Sequence, residues 1–498
     1  MKKSAVLALA APLLAGACMV GPNFERPETT KTTTYTAAGD APLPADQRLA
    51  RGGALEVNWW SAFRAPGLDS VVDLAIADNQ DIAAARARVA EAQESVREAT
   101  GALLPQLSLG ANASNTKYGP ALIGPSNFVI PTFTAYTAGP NASFPTDLFG
   151  GGQRLVEQKA ALAEYHQYEL EAAHLTLEGN VVAQAFAMAV SRAQVAAVQT
   201  IIDNDSQNVR LVETAIGIGS ATETQLVAAQ SQLANDRTLL PALHQQLAAS
   251  RHALAILVSK APAEWSPPDF ALEDFALPAE IPAALPSELA HRRPDILAAE
   301  AQLHAACAEI GVATANLYPQ LTLTVGVTSQ ALALGGPWAA AWSVAAGLMQ
   351  PIFDGGQLSA RRRAAIDRYN AALATYRQTV LTALGQVADQ LQALANDADQ
   401  LRSQEEAVRT AVSALDLARR SFTLGNTGII DVIDAQRQFA QAELGLSRAR
   451  AQRLMDTAQL YMALGGTPLA GAAPQRVSMD GEARRKDSKR SSLDDMLR

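Results

Sequence analysis

Asp431 and Asp434 lie in an otherwise apolar stretch directly after a glycine-rich turn. Charged side chains in such a stretch suggest a specific role. A spacing of three residues puts both carboxylates on one face of a helix. If copies of the chain surround an axis, these aspartates form a ring, and such rings select cations and set the field of a constriction. The alternative explanation is a helix-dipole effect on an N-terminal acid, or a solvated helix face. Glu223 holds the equivalent place of Asp431 earlier in the chain, at an offset of 208 residues.

The turns before these acids are rich in glycine and small polar residues. Glycine permits positive φ and close approach by another backbone, so the turns are candidate contact sites for a partner protein. A simple turn that ends one helix and begins the next would require the same residues. The candidate turn residues are Gly217, Gly219, Ser220, Gly425, Asn426, Thr427 and Gly428.

The motifs of common enzymes are missing from the sequence. The six histidines form neither an HExxH motif nor a close cluster with cysteine, which argues against a zinc site. There is no P-loop, G-x-S-x-G motif or catalytic-cysteine context. Cys307 lies in a helical pattern and is interpreted as a small buried residue. The sequence therefore predicts a protein that is not an enzyme and that holds no metal or other cofactor.

The N-terminus predicts export and lipid attachment. Lys2 and Lys3 precede a short apolar run, so residues 1–17 are interpreted as a cleaved signal peptide. The small residues before Cys18 resemble the lipobox of bacterial lipoproteins, which implies N-acyl and S-diacylglycerol lipid on that cysteine. Met19 in the next position implies the outer membrane. The alternative is an ordinary secretory signal followed by a chance cysteine.

Composition excludes several classes of protein. The 498 residues carry 49 acidic and 40 basic side chains, and a net charge of −9 argues against binding of nucleic acid. No apolar run of about 20 residues follows the first 18, which argues against a helical protein with many membrane spans but leaves a β-barrel open. An aromatic content of 5% with abundant alanine favours long, closely packed helices.

The chain contains an internal duplication. Residues 81–109 and 295–323 align without a gap at an offset of 214, with 13 of 29 positions identical. Each half contains a helical stretch, two alternating segments, a very long helix, a turn and a return helix. Strands are predicted at 107–114, 134–144, 321–328 and 340–349, with Pro145 and Pro351 ending the sheet. Helices are predicted at 68–101, 153–214, 221–258, 287–316, 356–423 and 429–464.

The second long helix carries apolar residues at every seventh position, which predicts an antiparallel coiled coil with the return helix. The nine positions are Ile366, Leu373, Val380, Val387, Leu394, Leu401, Val408, Leu415 and Phe422.

Four strands in one chain are too few for a membrane barrel, since bacterial outer-membrane barrels have about eight or more. An open sheet edge cannot face lipid. The strands must therefore pack on a soluble core or close through oligomerisation, which would give eight strands from two chains or twelve from three.

Several motifs together resemble the TolC-like outer-membrane efflux proteins, specifically the NodT-type lipoproteins, over nearly all of the mature chain. The motifs are Cys18-Met19-Val20-Gly21-Pro22-Asn23-Phe24 with Pro27; Trp59-Trp60 with Phe63 and Leu68; Arg292-Arg293-Pro294-Asp295-Ile296 with Glu300; Tyr318-Pro319; Pro351-Ile352-Phe353-Asp354-Gly355-Gly356; and Leu424-Gly425 with Ile430-Asp431-Val432-Ile433-Asp434-Ala435.

The resemblance implies a mainly α fold with membrane β: a homotrimer with a 12-stranded β-barrel, four strands per chain, continuous with a 12-helix antiparallel coiled-coil tunnel through the periplasm. Asp431, Asp434 and Glu223 would line the periplasmic aperture, and the turns would contact a periplasmic membrane-fusion adaptor. An inner-membrane pump of the resistance-nodulation-division (RND) type would drive drugs or other small toxic compounds through this passive duct.

Other functions stay open at this point. Within the duct hypothesis, metal ions or type I protein substrates are alternative cargo, and a lipid-anchored periplasmic coiled-coil scaffold is an alternative of another class. The predicted divisions of the chain are the signal peptide 1–17, the lipid-anchored segment 18–67, the first repeat 68–260, a proline-rich equatorial linker 261–286, the second repeat 287–466, and a C-terminal equatorial segment with a disordered tail 467–498.

Overall fold

The structure of the chain is a computed structural model. It describes residues 19–28, 32–37, 39–40, 46–51, 58–117, 131–283, 285–332 and 336–466. The predicted signal peptide, Cys18 and the predicted C-terminal tail lie outside these residues.

Helices and strands follow the duplicated order that the sequence predicts. In the described residues the α-helices are α1 (Pro66–Asp78), α2 (Gln80–Ala102), α3 (Gly151–Gly217), α4 (Glu223–Arg237), α5 (Leu239–Leu257), α6 (Pro286–Leu289), α7 (Pro294–Ala315), α8 (Gln357–Thr423) and α9 (Ile429–Ala463). The strands are β1 (Arg48–Arg51), β2 (Gln106–Thr116), β3 (Phe133–Thr146), β4 (Glu280–Ala283), β5 (Gln320–Ala331) and β6 (Ala339–Met349).

The two very long helices are confirmed. α3 and α8 each contain 67 residues, which corresponds to about 100 Å at 1.5 Å per residue. All nine apolar positions of the seven-residue pattern in α8 are buried or half-buried, from Ile366 to Phe422. The pattern is thus the buried stripe of the helix, as a coiled coil requires.

Three predicted helices are divided in the structure. The stretch predicted at 68–101 breaks at Asn79, whose Oδ1 accepts hydrogen bonds from the backbone N–H groups of Asp81 (2.9 Å) and Ile82 (3.1 Å). Asn79 thereby caps the start of α2, a role in which asparagine is favoured. The stretch predicted at 287–316 divides likewise, because Pro294 begins α7 and suits a first helical position.

The first return helix, predicted as continuous over 221–258, breaks at Thr238. Pro241 lies in the first turn of α5 and has no N–H to donate to the carbonyl four residues earlier, so the helix cannot continue through it unbroken. The Thr238 hydroxyl donates to the Asn235 carbonyl at 2.6 Å and closes the end of α4. The second return helix, α9, has no proline and is continuous.

The first of two compact units contains the four-stranded sheet. The strands lie in the order β2-β3-β5-β6, and each neighbouring pair is antiparallel. The register of β5 on β6 places apolar residues opposite one another: Leu321 faces Leu348, Leu323 faces Ala346, Val325 faces Val344 and Val327 faces Trp342. One face of this sheet is therefore apolar, and in the single chain it is exposed along β6 and half-buried to exposed along β5.

Pro145 does not end its strand, contrary to the sequence prediction. It pairs with Thr322 inside β3, whereas the pairing of β3 with β2 ends at Ser143. Beyond that point β3 has one neighbour, so a residue without an N–H can lie there with no ladder bond lost on the other side. Pro351 follows the last residue of β6, as predicted.

The chain that follows residue 18 is held on the first unit by a buried arginine. Arg154 is 1% exposed, and its guanidinium donates to the carbonyls of Val20 (3.3 Å) and Gly21 (3.4 Å) and to Asn23 Oδ1 (2.7 Å). Its Nη1 also donates to Glu157 Oε2 at 2.6 Å. These contacts give the Gly21-Pro22-Asn23 motif a structural role.

The second unit has an aromatic core. Trp59 stacks on Tyr461 with ring centroids 5.7 Å apart, and Phe186 packs edge-on against Phe63 (5.1 Å) and Phe275 (4.8 Å). The indole N–H of Trp59 donates to Glu178 at 3.0 Å. Burial raises the pKa of Glu178 to about 7. Phe275, from the proline-rich segment predicted as a linker, is thus part of this core.

Two described helices have the length and composition of a membrane span. The windows in α3 and α7 have mean hydropathies of 1.4 and 1.2, and 56% and 61% of these windows is buried inside the protein. Buried core helices meet the same criterion, so the indication is weak.

Gly139 provides a test of the sheet. A Cβ on this residue would lie 1.9 Å from the Val327 carbonyl oxygen, where β3 meets β5. Gly139→Ala should therefore cost more than the roughly 1–3 kcal/mol of ordinary overpacking and deplete the assembled protein in outer-membrane fractions. Gly110, which pairs with Gly139, is the matched control because its Cβ would meet nothing within 4 Å. Equal assembly of the Gly139→Ala and Gly110→Ala variants would contradict the packing argument.

Candidate functional site

Both glycine-rich turns lie in the second unit and share one geometry. After α3, Gly219 has φ +73 and donates to the Ile216 carbonyl (2.9 Å), while Ser220 N donates to Ala215 O (2.8 Å). After α8, Gly425 has φ +77 and donates to Phe422 O (2.9 Å). The left-handed conformation that glycine favours is thus required at one residue of each turn.

The two turns correspond at an offset of 206 residues rather than 208. Gly219 matches Gly425 by conformation, and the first residues of the return helices, Glu223 and Ile429, then match as well. Gly217 is the last residue of α3, and Gly428 has φ −82, so neither has the positive φ that the sequence allowed. The structural counterpart of Asp431 is therefore Gln225 and not Glu223.

Asp431 and Gln225 perform the same local task. Asp431 Oδ2 accepts a hydrogen bond from the Gly428 N–H at 3.1 Å, and Gln225 Oε1 accepts one from the Thr222 N–H at 2.8 Å. Each side chain returns to the residue before its helix, which is half of a capping box. This hydrogen bond directly supports the explanation of Asp431 as a helix-terminal acid. It uses Oδ2, and Oδ1 does not take part in it.

Asp434 lies on the same exposed face one turn later. Its Oδ1 is 3.2 Å from Arg437 Nη2, and both side chains are about half exposed. An ion pair in this setting is worth about 1 kcal/mol or less. Glu223 is exposed as well, at the first position of α4. The three acids predicted from the sequence thus lie near the two turns, on solvent-facing surfaces of the single chain.

Apolar packing fixes which face of α9 carries the acids. Ile429, Val432 and Ile433 are buried in a cluster with Val212 of α3 and Leu415 of α8, and helix α4 contributes Ala229. These residues are interleaved with Asp431 and Asp434 along the helix. Packing on one side therefore directs the carboxylates to the other.

Exposed apolar side chains at the turns were not identified from the sequence. Ile218 and Leu424, one in each turn, are 78% and 74% exposed, and Ile430 and Val227 are also exposed. The sequence shows that they lie directly beside the predicted contact residues, but only the folded structure shows that they are exposed. We call these four exposed side chains the apolar rim of the turns.

In the described residues, no group of three or more His, Cys, Asp or Glu side chains could hold a metal ion. The turns and the first residues of the return helices carry exposed carboxylates and exposed apolar side chains.

The fold comprises two long helical hairpins that end in tight turns and an antiparallel sheet with one apolar face. The chain belongs to the family described as outer membrane efflux protein, which matches residues 71–259 and 285–466. The fold class predicted from the sequence is confirmed, and so is the resemblance to NodT-type proteins.

Two relatives and one solved structure illustrate the similarity. The pyoverdine export outer membrane protein OpmQ of Pseudomonas aeruginosa is 33% identical over 449 residues, which cover 86% of this chain and 94% of OpmQ. Nodulation protein T of Rhizobium leguminosarum bv. viciae is 28% identical over 481 residues, or 95% of this chain and 94% of that protein. The outer-membrane channel OprN superposes with a TM-score of 0.82 at 26% identity, covering 90% of this chain and 99% of OprN.

The chain is therefore an efflux channel of the outer membrane that extends into the periplasm. Of the two hypotheses drawn from the sequence, this result supports the efflux duct rather than the lipid-anchored periplasmic scaffold. The family is one of channel proteins and not of enzymes.

Proposed function

We propose that the protein is the outer-membrane duct of a tripartite efflux pump that exports drugs or other small toxic compounds. In this arrangement three copies close their sheets into a 12-stranded barrel, and a periplasmic adaptor joins the hairpin turns to an inner-membrane pump of the RND type. The observation that carries the proposal is the pair of matching turns with exposed apolar side chains. Metal ions and proteins exported by a type I system are the alternative cargo.

Closure by other copies is supported by the sheet itself. β2 and β6 are its outer strands, and β6 is exposed along its whole length, including Trp342 (78%) and Val344 (69%). In a membrane, unpaired strand edges are strongly unfavourable, whereas a closed barrel satisfies them all. The exposed apolar face would then lie against lipid.

Adaptor docking can be tested at the apolar rim. The double variant Ile218→Ser, Leu424→Ser removes an exposed apolar side chain from each turn, and we expect affinity for the adaptor to fall by about tenfold, or 1.4 kcal/mol. Cells with this variant should accumulate an organic efflux substrate, while purified trimers still conduct in planar bilayers. Ile256→Ser, at a 65% exposed position of α5 away from the turns, is the control.

Unimpaired export by the turn variant would refute adaptor docking at this rim. If export of organic compounds is normal in a strain that lacks the channel while metal-salt tolerance or protein secretion is lost, the cargo assignment is wrong but the duct stands.

The aperture assignment concerns Asp431, Asp434 and Glu223. Asp431→Ala with Asp434→Ala should raise single-channel conductance and lower cation preference, because six carboxylates leave the trimer. Asp431→Asn keeps an acceptor for the Gly428 N–H and so separates loss of charge from loss of the helix cap. Asp399→Ala is the matched control, since Asp399 pairs with Arg402 at the same helical spacing but lies far from the turn. Single-channel behaviour identical to wild type in the double variant would remove these aspartates from the aperture.

A lipid anchor on Cys18 is the second proposed attachment to the outer membrane. The lipobox-like residues support it, and the contacts of Arg154 with Val20, Gly21 and Asn23 would hold the chain directly after it in a fixed place. Several acyl chains together give a stable anchor where one does not. Mass spectrometry of the mature N-terminal peptide should show the added lipid, and Cys18→Ser should abolish it. An unmodified cysteine, or cleavage elsewhere, would refute the anchor.

A further inference from the structure

Each helical hairpin of the second unit contains two aspartates that face each other across the hairpin. Asp205 of α3 meets Asp236 of α4, and Asp397 of α8 meets Asp456 of α9. Asp205, Asp397 and Asp456 are 4%, 7% and 7% exposed, and Asp236 is half-buried. Two carboxylates in such a place would repel each other with little screening by water.

The hydrogen bonds around the two pairs follow one pattern. In the first pair, Gln232 Nε2 donates to Asp236 Oδ2 at 2.8 Å, and in the second, Gln452 Nε2 donates to Asp456 Oδ2 at 2.9 Å. Each donor lies four residues before its aspartate on the return helix. The return-helix carboxylate thus has a partner that stabilises its ionised form.

The aspartate on each long helix lacks such a partner. The Oδ2 atoms of Asp205 and Asp397 are buried, and among the described residues no group donates a hydrogen bond to either of them. A buried polar atom without a partner is costly, and an ionised carboxylate has no proton to offer its neighbour. One proton on each long-helix aspartate removes both costs, because the protonated group donates to the carboxylate that faces it.

Electrostatics agree with this assignment of the proton. Burial, followed by the facing carboxyl, raises the pKa of Asp205 and of Asp397 well above the usual range of an aspartate. Asp236 is the one charged group in the described chain that acts on Asp205. Arg453 of α9 acts on Asp397 in the opposite direction, but its guanidinium already binds Asp46 (2.7 Å).

The surroundings of the first pair connect it to the turn. Asp236 is the second-last residue of α4, next to the break at Thr238, and α4 begins directly after the turn at Gly219. Apolar side chains near the pair hold the same helices together, among them Ile201 and Ile202 of α3 with Leu233 of α4. The carboxyl pair is the polar contact at the end of α4 that is remote from the turn.

We propose that a shared proton between Asp205 and Asp236, and another between Asp397 and Asp456, ties each long helix to its return helix, so that loss of these protons at alkaline pH loosens the hairpins and frees the turn-bearing helix α4. The ligand of both sites is a proton. The proposal rests on the hairpins alone and does not depend on the cargo or on the adaptor.

The direction of the pH effect follows from proton linkage. The folded hairpin binds more protons than the unfolded chain from about pH 4, where an unfolded aspartate ionises, up to the raised pKa of the folded pair. The stabilisation is complete below this window and is lost as pH rises through it. One proton per pair changes the closed-to-open ratio by at most about tenfold per pH unit.

Hydrogen–deuterium exchange of the full-length trimer at about pH 5 and about pH 8 tests the proposal, after correction for intrinsic exchange. In wild type, protection of Glu223–Arg237 should fall by at least several-fold between these values. Asp205→Asn should remove most of this change, since an amide donates to Asp236 without taking up a proton. Asp397→Asn should do the same for the α8–α9 hairpin and leave α4 unaffected.

Exposed aspartates on the same helices give matched controls. Asp203→Asn and Asp389→Asn should keep the wild-type pH dependence, because both positions are solvent-exposed. Glu178 also has a raised pKa, so global melting temperatures would mix its titration with that of the pairs, and exchange must be measured locally. Infrared spectroscopy at neutral pH should show a protonated-carboxyl band that weakens in Asp205→Asn.

Two results would overturn the proposal: equal protection of α4 in wild type at both pH values, or wild-type pH dependence in Asp205→Asn. If Asp205→Asn does not assemble, the reciprocal variant Asp236→Asn decides the question, because it places the amide on the other side of the same contact. Burial still raises the pKa of Asp205 in that variant, but the amide donates to the ionised carboxylate, so the midpoint of the pH dependence should move to lower pH. An unchanged midpoint would likewise refute the shared proton.

Discussion

The antiparallel pairing of β3 with β5 joins the strands of the two repeats into one sheet, and the other elements follow from it. Gly139 permits this pairing, because a Cβ there would collide with the Val327 carbonyl. At both exits from the sheet the chain enters a long helix through an aspartate: Asp147 accepts from the N–H groups of Gly152 and Gln153, and Asp354 accepts from those of Gly356 and Leu358. An aspartate thus precedes each of the 67-residue helices, although the spacing to the N–H groups that it accepts from differs between the two corners.

Most of the buried residues along the long helices are apolar, but apolar residues alone do not fix one register. A heptad stripe can shift by seven residues and still bury a similar surface. The amide pair Asn208 and Gln436, with a 2.9 Å hydrogen bond between α3 and α9, would lose its partner on such a shift. The two aspartate pairs act in the same way across each hairpin, since a buried carboxyl moved away from its neighbour is left without a hydrogen bond.

Most of the fold could be predicted from the sequence because it follows from periodicity. The period of two revealed the strands, the period of seven revealed α8, and the duplication confirmed each through its copy. The errors arose where a single side chain decides the local structure. Asn79 caps a new helix, Pro241 breaks another, and Pro145 is accommodated at a strand end that has one neighbour. The 206-residue correspondence of the turns could not be found from glycine positions, because it depends on which glycine adopts positive φ.

The acids beside the second turn show how one short stretch can cap a helix and still present exposed carboxylates. Asp431 closes the cap of α9 with one oxygen, and the apolar residues between it and Asp434 pack into the cluster shared with α3, α4 and α8. Since that packing fixes the rotation of α9, both carboxylates are directed outward whatever they contact. If they line a pore, as proposed above, the charge they present there is a consequence of how the hairpin buries its apolar residues. A carboxylate on the buried face would have needed a partner or a proton, which is the situation of Asp205 and Asp397 farther along the same hairpins.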